Sequence, residues 1–567
     1  MKNKNYIISE DRLSPNFEIE YQRIIEWFFS RDSNKWPIFH EQEMKKIIEF
    51  RGRNLHPLKR VDAYPEGSFL LEKIKTEQHI PETYCEPGGS LDPLLLFAVA
   101  LSKDWENPGA VENAIAMPCD PAIYGSMLSQ LVSPNLVYSE YAGMAEKLEK
   151  MAVRQMATLA GYDPMEATGI FTQGGTFCNL YGYLLGIRKS LPNARLTGLN
   201  SGDDYCIINS QGGHYSNMTN LSLLGVDIKH KTIRIRITSS NEIDLAHLEH
   251  QMRACFNVNC LIPTIMLTLG TTDTFAVDRV KLIYDLRNRL CEEYGIKIKP
   301  HIHADAAIGW SMLFFADYDF ESNPLSINES TLQGIKNNRD KFQEIKYTDS
   351  FTIDFHKWGY VPYISSLVMI KDQSDLKALE NEPQHFSYFE NDMQGKTHLQ
   401  STIECTRGAA GIFGAVSALT YMGKKGYQVI LAHCLQNANY FRKCLQDLGY
   451  VKLIAPANQG PSVGFKIYNP KIITDVDIAF EYELTCMDSQ DAMNFMQSNN
   501  QFHRRIFTNR DKIGLFTNWV EFITRSEYDS KGDFSYIPGE KAVFINPMTT
   551  RADIDRYIDS LIENIHF

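Results

Sequence analysis

The sequence predicts an α/β protein whose central region is a mostly parallel β-sheet covered by helices. Segments typical of strands and of helices alternate between about residues 126 and 440, which is the pattern of parallel sheets. Several of these strands are apolar throughout, as strands buried on both faces are. The chain has 567 residues, too many for one hydrophobic core. We therefore predict a helical N-terminal region over 1–125, a large domain over 126–440 and a smaller α+β domain over 441–567.

The predicted elements follow from local patterns along the chain. A helix is expected after Ser14 and Pro15, where apolar residues recur at helical spacing. Another is expected after Asp244, a residue type that caps helices. The predicted strands of the large domain are GIFTQ, DYCIINS, TIRIRIT, CLIPTIMLTLG, IKIKPHIHAD, SFTIDF and ISSLVMI. The C-terminal region mixes short strands, GPSVGFKIYN and KAVFINP, with helices.

Composition narrows the class of protein. The formal net charge of −12 argues against a general nucleic-acid binder, which needs basic patches. We expect no membrane segment, because no stretch of about 18 apolar residues occurs. The eleven cysteines form no C-x-x-C pair, which favours reduced thiols and a cytoplasmic location.

Lys357 ends a strand that is otherwise apolar. In SFTIDFHKWGY, Phe351, Ile353 and Phe355 alternate as in a buried strand, and the chain turns directly after the lysine. Open α/β sheets bind ligands in the crevice at the carboxyl ends of their strands. A surface lysine is the ordinary interpretation of such a residue, and a lysine presented for chemistry is the alternative.

A glycine turn links another predicted strand to a helix. In GIFTQGGTFCNL, Gly174, Gly175 and Thr176 precede a helical pattern, so free backbone N–H groups and the helix dipole would suit a phosphate. A plain strand-to-helix turn would look the same. The segment is neither G-x-G-x-x-G nor a P-loop.

The stretch KPHIHADAAIGW has two interpretations. His301, His303 and Asp305 resemble the ligand cluster of metallo-β-lactamase-like hydrolases, but Ala306 stands where that motif has a further histidine. Zinc needs three or four protein ligands, and no second cluster of ligands stands out, so we expect no metal. Asp305 is otherwise a lone carboxylate beside small residues, which requires a cationic partner.

Pyridoxal phosphate has the features that these three stretches would bind. The glycine turn suits its phosphate, Asp305 its protonated pyridine nitrogen, and Lys357 its aldehyde. His214, in INSQGGHYSNMTNLSLLGV, follows a strand and can stack on the ring face opposite Ala307. Partial burial is expected to lower the pKa of Lys357.

From about residue 115 to its C-terminus the chain resembles the group II pyridoxal-phosphate-dependent amino-acid decarboxylases. The matching stretches are FTQGGTFCNL, GGHYSNMTNLSLLG, TLGTTDTFAVD, HIHADAAIGW, DSFTIDFHKW and TIECTRGAAG. The resemblance implies an aspartate-aminotransferase-type fold (fold type I). It also implies a homodimer with the N-terminal region wrapped around the partner, and conversion of an L-amino acid to its amine and CO2.

The resemblance also implies a role for individual residues. Lys357 corresponds to the Schiff-base lysine, Asp305 to the partner of the pyridine nitrogen, and His214 to the stacking and proton-transfer imidazole. Residues implied near the cofactor are Thr272 and Ala307 by the ring and Gly175, Thr176, Asp354 and His356 by the phosphate. Arg407 would pair with the substrate α-carboxylate.

Tyr388, in NEPQHFSYFEND, is the candidate proton donor after CO2 leaves. Without this donor, the carbanion left after CO2 departs can react with oxygen and give an aldehyde in place of the amine. An aldehyde-forming oxidative decarboxylase and another pyridoxal-phosphate carbon–carbon lyase are therefore alternatives, as is a non-catalytic or metal-dependent protein on this fold. The polar stretch at about 321–345 is expected to be a surface excursion or lid.

Overall fold

The structure is a computed structural model that describes most of the chain. The described residues are 15–29, 102–137, 139–200, 202–380, 401–486, 489–509, 514–525 and 536–566, with a few single residues between 41 and 82. The chain divides into two compact units, Met1–Asp104 and Trp105–Phe567. In the first unit, the helix predicted after Ser14 and Pro15 spans Pro15–Ile24 and continues as a π-helical turn, Ile25–Phe29. The predicted boundaries at 125 and 440 stay predictions.

The strands form two sheets in the second unit. They are β1 Thr168–Thr172, β2 Ile207–Ser210, β3 Thr232–Ile235, β4 Thr264–Thr268, β5 His301–Asp305, β6 Ser350–Asp354, β7 Ser366–Ile370, β8 Val451–Ile454, β9 Ser462–Ile467, β10 Asn518–Arg525 and β11 Tyr536–Val543. The large sheet has the order β1-β7-β6-β5-β4-β2-β3. Its pairs from β3 to β6 are parallel, and β7 is antiparallel to both β1 and β6. The small sheet, in the order β10-β11-β9-β8, is antiparallel.

Helices of the second unit cover these sheets. In chain order over both units, the described α-helices are α1 Pro15–Ile24, α2 Asp120–Val132, α3 Ser139–Ala142, α4 Met144–Ala160, α5 Gly175–Ser190, α6 Ala194–Thr197, α7 Ser216–Leu223, α8 Ile228–Lys231, α9 Leu245–Asn257, α10 Val280–Glu293, α11 Glu329–Phe342, α12 Ala410–Asp447, α13 Val476–Thr485, α14 Gln490–Asn509 and α15 Arg551–His566. Short 3-10 helices span Gly309–Phe315, Gln343–Tyr347 and Gln373–Ala378. The predicted cap of α9 is confirmed, since the Asp244 carboxylate accepts from the N–H groups of Ala246 and His247. None of the described helices combines the length and apolar character needed to cross a bilayer.

The α/β class with a mostly parallel large sheet and a smaller second sheet is confirmed. Each of the seven strands predicted for the large domain is present, although β8 and β10 of the small sheet were not predicted. Buried aliphatic and aromatic side chains of the large sheet form the main core. A separate cluster lies under the small sheet.

The expectation of a surface excursion at 321–345 is wrong. This stretch contains α11, which begins with the Asn328 side chain accepting a hydrogen bond from the Thr331 N–H. Leu332, Ile335 and Phe342 are buried on one side of the helix. The stretch contains few apolar residues, so its composition is polar. Their spacing of three and seven nevertheless places them on one helical face.

Candidate active site

A cavity of about 680 Å³ opens at the carboxyl ends of the parallel strands. Five of the predicted site residues line it: His214, Thr272, Asp305, Ala307 and Lys357. The predicted residues Gly175, Thr176, Asp354, His356 and Arg407 are not part of its lining. Tyr388 lies outside the described residues, so its role stays a prediction. The fold thus brings His214 and Lys357, which are 143 positions apart in the sequence, into one cavity.

Lys357 is held by a buried carboxylate at the end of β6. Its Nζ lies 3.0 Å from Asp354 Oδ2, and the lysine side chain is only 20% exposed. Asp354 also accepts a hydrogen bond of 2.6 Å from Ser366 Oγ on the neighbouring β7. His356 Nε2 is 3.5 Å from the same carboxylate. Two adjacent strands therefore fix the carboxylate that fixes the lysine.

The expectation that the pKa of Lys357 is lowered is wrong. Burial does favour the neutral amine, but the carboxylates of Asp354 and Asp305 outweigh it and raise the pKa above its ordinary value. Burial by itself would raise the pKa of Asp354, because it disfavours the ionised carboxylate. Lys357 and His356 outweigh this effect and hold the pKa of this carboxyl below its usual range. The lysine is therefore a charged group in the protein alone, and it must lose a proton to act as a nucleophile.

His356 is a buried imidazole next to Asp354. Its Nδ1 accepts a hydrogen bond of 3.2 Å from the Ser365 N–H, and its ring lies 4.0 Å from that of Tyr363 between centroids. Burial lowers the pKa of His356, although Asp354 opposes the effect. The residue thus supports Asp354 from behind and does not face the cavity.

Asp305 ends β5 and accepts two hydrogen bonds. Asn179 Nδ2 donates to its Oδ2 at 2.9 Å, and the N–H of Ala307 donates to its Oδ1 at 3.2 Å. The carboxylate is almost fully buried yet reaches the cavity. Its two oxygens are thereby oriented, so the group is presented in one geometry.

Asn179 was missed by the sequence analysis. It is itself oriented by Thr352 of β6, whose hydroxyl donates to its Oδ1 at 2.7 Å. Asn179 lies on α5, one helical turn after Gly175, and so on the same face as the predicted phosphate turn. That spacing is the signal that could have found it.

His214 and Ala307 line the cavity together. Nδ1 of His214 lies 2.8 Å from Ser216 Oγ, which orients the ring from the start of α7. Burial lowers the pKa of His214 and Lys357 acts in the same direction, while Asp305 opposes them. Both side chains line the same cavity, so a flat ligand bound there can contact both.

The glycine turn at the start of α5 lies directly against Asp354. Gly174 has φ +115°, a conformation that favours glycine. A Cβ atom on Gly175 would come within 2.7 Å of Asp354 Oδ2, so only glycine allows this approach. The carbonyl of Thr176 accepts a hydrogen bond of 2.9 Å from Asn220 of α7. The first N–H groups of α5 have no acceptor within their own helix and can bind an anion there.

Arg407 lies in a buried ion pair. Its Nη1 and Nη2 donate to the two oxygens of Glu149 at 2.6 and 3.2 Å, and Nη1 also reaches the Phe171 carbonyl at 3.1 Å. Glu149 in turn accepts from the Phe171 N–H at 3.0 Å. The guanidinium therefore joins α4 to β1 in this structure, and its contact with a substrate stays a prediction.

The opposite wall of the cavity comes from the small sheet and was also missed. Residues of β10, including Trp519 and Phe522, line it together with Lys541 of β11. Lys541 forms an ion pair of 2.7 Å with Asp273, which follows β4. The hydroxyl of Thr268, buried in this lining, has no hydrogen-bond partner among the described residues. A polar ligand is the natural partner for such a group.

Comparison with known proteins identifies the family. Residues 99–468 match the family model described as the pyridoxal-dependent decarboxylase conserved domain. The chain belongs to this family. The resemblance inferred from the motifs is thus confirmed.

Individual relatives are distant. The chain is 25% identical over 295 residues to a probable L-tyrosine/L-aspartate decarboxylase of Methanocella arvoryzae, covering 51% of this chain and 63% of that protein. It is 21% identical over 350 residues to an L-2,4-diaminobutyrate decarboxylase of Rhizobium meliloti, covering 62% and 63%. The matches thus span less than two thirds of these relatives' own length.

Solved structures share the fold. Oryza sativa TDC with PLP and tryptamine has a TM-score of 0.71 at 14% sequence identity, with 95% of this chain and 99% of that chain covered. These values confirm the predicted fold type I architecture.

Replacing Asp354 by asparagine should lower the pKa of Lys357. The amide keeps the shape of the side chain but removes the anion beside Nζ, so burial is then opposed mainly by Asp305. The pH dependence of Lys357 labelling by an amine-specific reagent, resolved by peptide mapping, measures this shift. The variant should label at lower pH than the wild type.

Asp375→Asn is the matched control, because Asp375 pairs with Lys189 at 2.9 Å and does not contact Lys357. Its labelling profile at Lys357 should equal that of the wild type. Identical profiles for Asp354→Asn and the wild type would contradict the assigned electrostatic role.

Proposed function

We propose that this protein decarboxylates an L-amino acid with pyridoxal 5′-phosphate as cofactor, releasing the corresponding amine and CO2. One observation carries the proposal: Lys357 and the oriented carboxylate of Asp305 stand in one cavity at the ends of neighbouring parallel strands. Membership of the pyridoxal-dependent decarboxylase family supports it.

The residues present fit the cofactor. Gly175 and Thr176 begin a helix whose free N–H groups would hold the phosphate, and Asp354 and His356 would support that side. Asp305 would hold the pyridine nitrogen, with His214 and Ala307 on either face of the ring and Thr272 at its edge. The unpartnered hydroxyl of Thr268 beside Asp305 supports a polar ligand at this place.

When bound, pyridoxal phosphate supplies an aldehyde that condenses with amines and a protonated ring that withdraws electrons. The residues of the protein position the cofactor and move protons. Asp305, fixed by Asn179, would keep the ring nitrogen protonated. Asp354 would take up or stabilise the charge of Lys357 while the lysine exchanges its proton. His214 would hold the ring and can carry a proton near the reacting carbon.

The substrate carboxylate would lie towards Arg407 if that residue left its pair with Glu149. Tyr388 would donate the final proton, which decides between amine and aldehyde.

The test of the function is a screen of the proteinogenic amino acids with cofactor-loaded protein, assaying CO2, amine, aldehyde and peroxide together. Release of CO2 with equal amine supports decarboxylation. Aldehyde with peroxide would support the oxidative alternative, and no CO2 from any amino acid would overturn the proposal.

Lys357→Ala should abolish turnover while the protein stays folded, since Lys357 is the group proposed to bond the cofactor. Borohydride reduction of the loaded wild type followed by peptide mapping should label Lys357, and the variant should carry no label. Lys541→Ala is the control within the same cavity and should keep the label on Lys357. A label on another lysine in the wild type would refute the assignment.

Asp305→Asn should reduce CO2 release about a hundredfold or more, because an amide offers no charge to hold the proton on the ring. Its thermal midpoint should change far less than its activity, and the visible absorbance of the bound cofactor should shift. Asp349→Asn is the control, since Asp349 lies just before β6 at the opposite edge of the sheet and pairs with Arg287. Activity close to that of the wild type in Asp305→Asn would rule out the role.

We also propose a cytoplasmic homodimer. The described cysteines are free thiols, which supports a reducing compartment. Helix α2 carries three exposed apolar side chains at a spacing of four: Tyr124 at 64%, Leu128 at 57% and Val132 at 69% exposure. Its other face packs on α12 through Gly125 and Ser417. A second copy is the partner that family membership favours for this apolar stripe.

Leu128→Asp should weaken the dimer, because it places a charge in the centre of the apolar stripe. Sedimentation at decreasing protein concentration measures the monomer fraction. Leu196→Asp changes a leucine on α6 that is 67% exposed, and this variant should sediment as the wild type does. A monomeric wild type, or a Leu128→Asp dimer as stable as the wild type, would refute this interface.

A further inference from the structure

Three cysteines meet at the amino-terminal edge of the large sheet, opposite the cavity. Cys206 directly precedes β2, Cys255 lies in the last turns of α9, and Cys260 lies in the turn that follows this helix. Their three sulfur atoms all lie within 4.8 Å of one another. The catalytic residues His214, Asp305 and Lys357 follow the carboxyl ends of strands of the same sheet, so this cluster is a separate feature.

The backbone holds the three residues in fixed positions. The Cys260 N–H donates to the Cys255 carbonyl at 2.9 Å, which closes the turn after α9. The Cys206 N–H donates to the Leu261 carbonyl, and the Leu261 N–H to the Asp204 carbonyl, both at 2.8 Å. The two segments that carry the thiols are thus joined as a short parallel bridge between Tyr205 and Leu261. The convergence of the sulfur atoms is built into the main chain.

Apolar packing alone does not account for this arrangement. Free cysteine used as a small hydrophobic residue is among the most buried residue types. Cys255 belongs to the main core, and the half-buried Cys206 and Cys260 pack against that core. Packing explains their burial, but it does not require three sulfur atoms to converge within 4.8 Å of one another, as they do here.

The spacing matches a metal ion bound by sulfur. Metal–sulfur bonds of about 2.3 Å place the ligands of one ion roughly 4 Å apart, within the observed separation. Thiolates select Zn²⁺ and Cu⁺ over harder ions. Lys231 interacts electrostatically with Cys206 and Cys260, and its Nζ is held by the Asp203 carbonyl at 2.7 Å. This cation offsets part of the negative charge that three thiolates bring.

We propose that Cys206, Cys255 and Cys260 together bind one thiophilic metal ion. Cys206 and Cys260 are only partly buried, so water could fill a fourth position on Zn²⁺, whereas Cu⁺ would be satisfied by three sulfur atoms. The ion would tie the start of β2 to the end of α9. The sequence analysis expected no metal, since no dense cluster of ligands stood out beside His301, His303 and Asp305. It could not find this cluster, because Cys255 and Cys260 stand 49 and 54 positions from Cys206.

The test uses the full-length protein, independently of any decarboxylase activity. Reduced protein is stripped with a chelator, incubated with a small excess of Zn²⁺ or, under anaerobic conditions, of Cu⁺, and desalted. Elemental analysis should find one metal ion per chain. Cys206→Ser and Cys260→Ser should each lose most of it, and Cys444→Ser, a half-buried cysteine of α12 outside the cluster, should retain it. The ion retained after competition with a chelator identifies the preferred metal.

A second measurement covers the case in which a variant misfolds. Titration of the stripped wild type with Co²⁺ should produce thiolate-to-metal absorption that saturates at one equivalent. Thermal melts of the wild type should show a higher midpoint with metal than without, because the folded state binds the ion and the unfolded state binds it less well. No metal retained by reduced wild type, or equal metal in the wild type and the Cys206→Ser and Cys260→Ser variants, would overturn the proposal. A disulfide within the cluster, seen as a mass two units lower with no bound metal, would also overturn it.

Discussion

The parallel register of β4, β5 and β6 is the constraint on which the site depends. Asp305 pairs with Thr268 on one side and with Thr352 on the other, so β4 and β5 end at the same level and β6 continues two residues further, to Asp354. Each strand then delivers its terminal polar residue to one edge, where the chain leaves the sheet. Antiparallel pairing would have placed alternate strand ends on opposite edges. The seventh strand is antiparallel, yet it contributes Ser366 at the same edge because it starts there.

Charge balance is the second constraint. Asp354 and Lys357 are nearly buried, and burying either one alone would be costly. Their mutual contact, together with Ser366 and His356, satisfies the carboxylate. The same contact raises the pKa of the lysine, and this opposes the loss of the proton that covalent chemistry requires. Arg407 and Glu149 next to β1 are a second example of charge balance. They form a bidentate ion pair in which each buried charge is matched by the other, without any ligand.

The two edges of the large sheet carry different chemistry. The carboxyl edge gathers carboxylates, an imidazole and a lysine around a cavity, whereas the amino edge gathers three thiols. Hard oxygen and nitrogen groups suit a cofactor bearing phosphate and a protonated ring, and soft sulfur suits a thiophilic ion. Because the length of the strands separates the two edges, each site can be altered and measured separately. The small sheet adds the outer wall of the cavity through β10 and the pair of Lys541 with Asp273.

Local sequence patterns determined the class of the fold, the strands of the large sheet and the residues His214, Asp305 and Lys357 at their ends. Such patterns report which face is buried and where an element stops, since both depend on neighbours a few residues away. The tertiary structure alone decided the partners. Asn179 reaches Asp305 across 126 positions and Arg407 reaches Glu149 across 258. The thiol cluster was decided in the same way. Contacts between residues so far apart leave no periodic trace in the chain, because they depend on which elements become neighbours in the folded sheet.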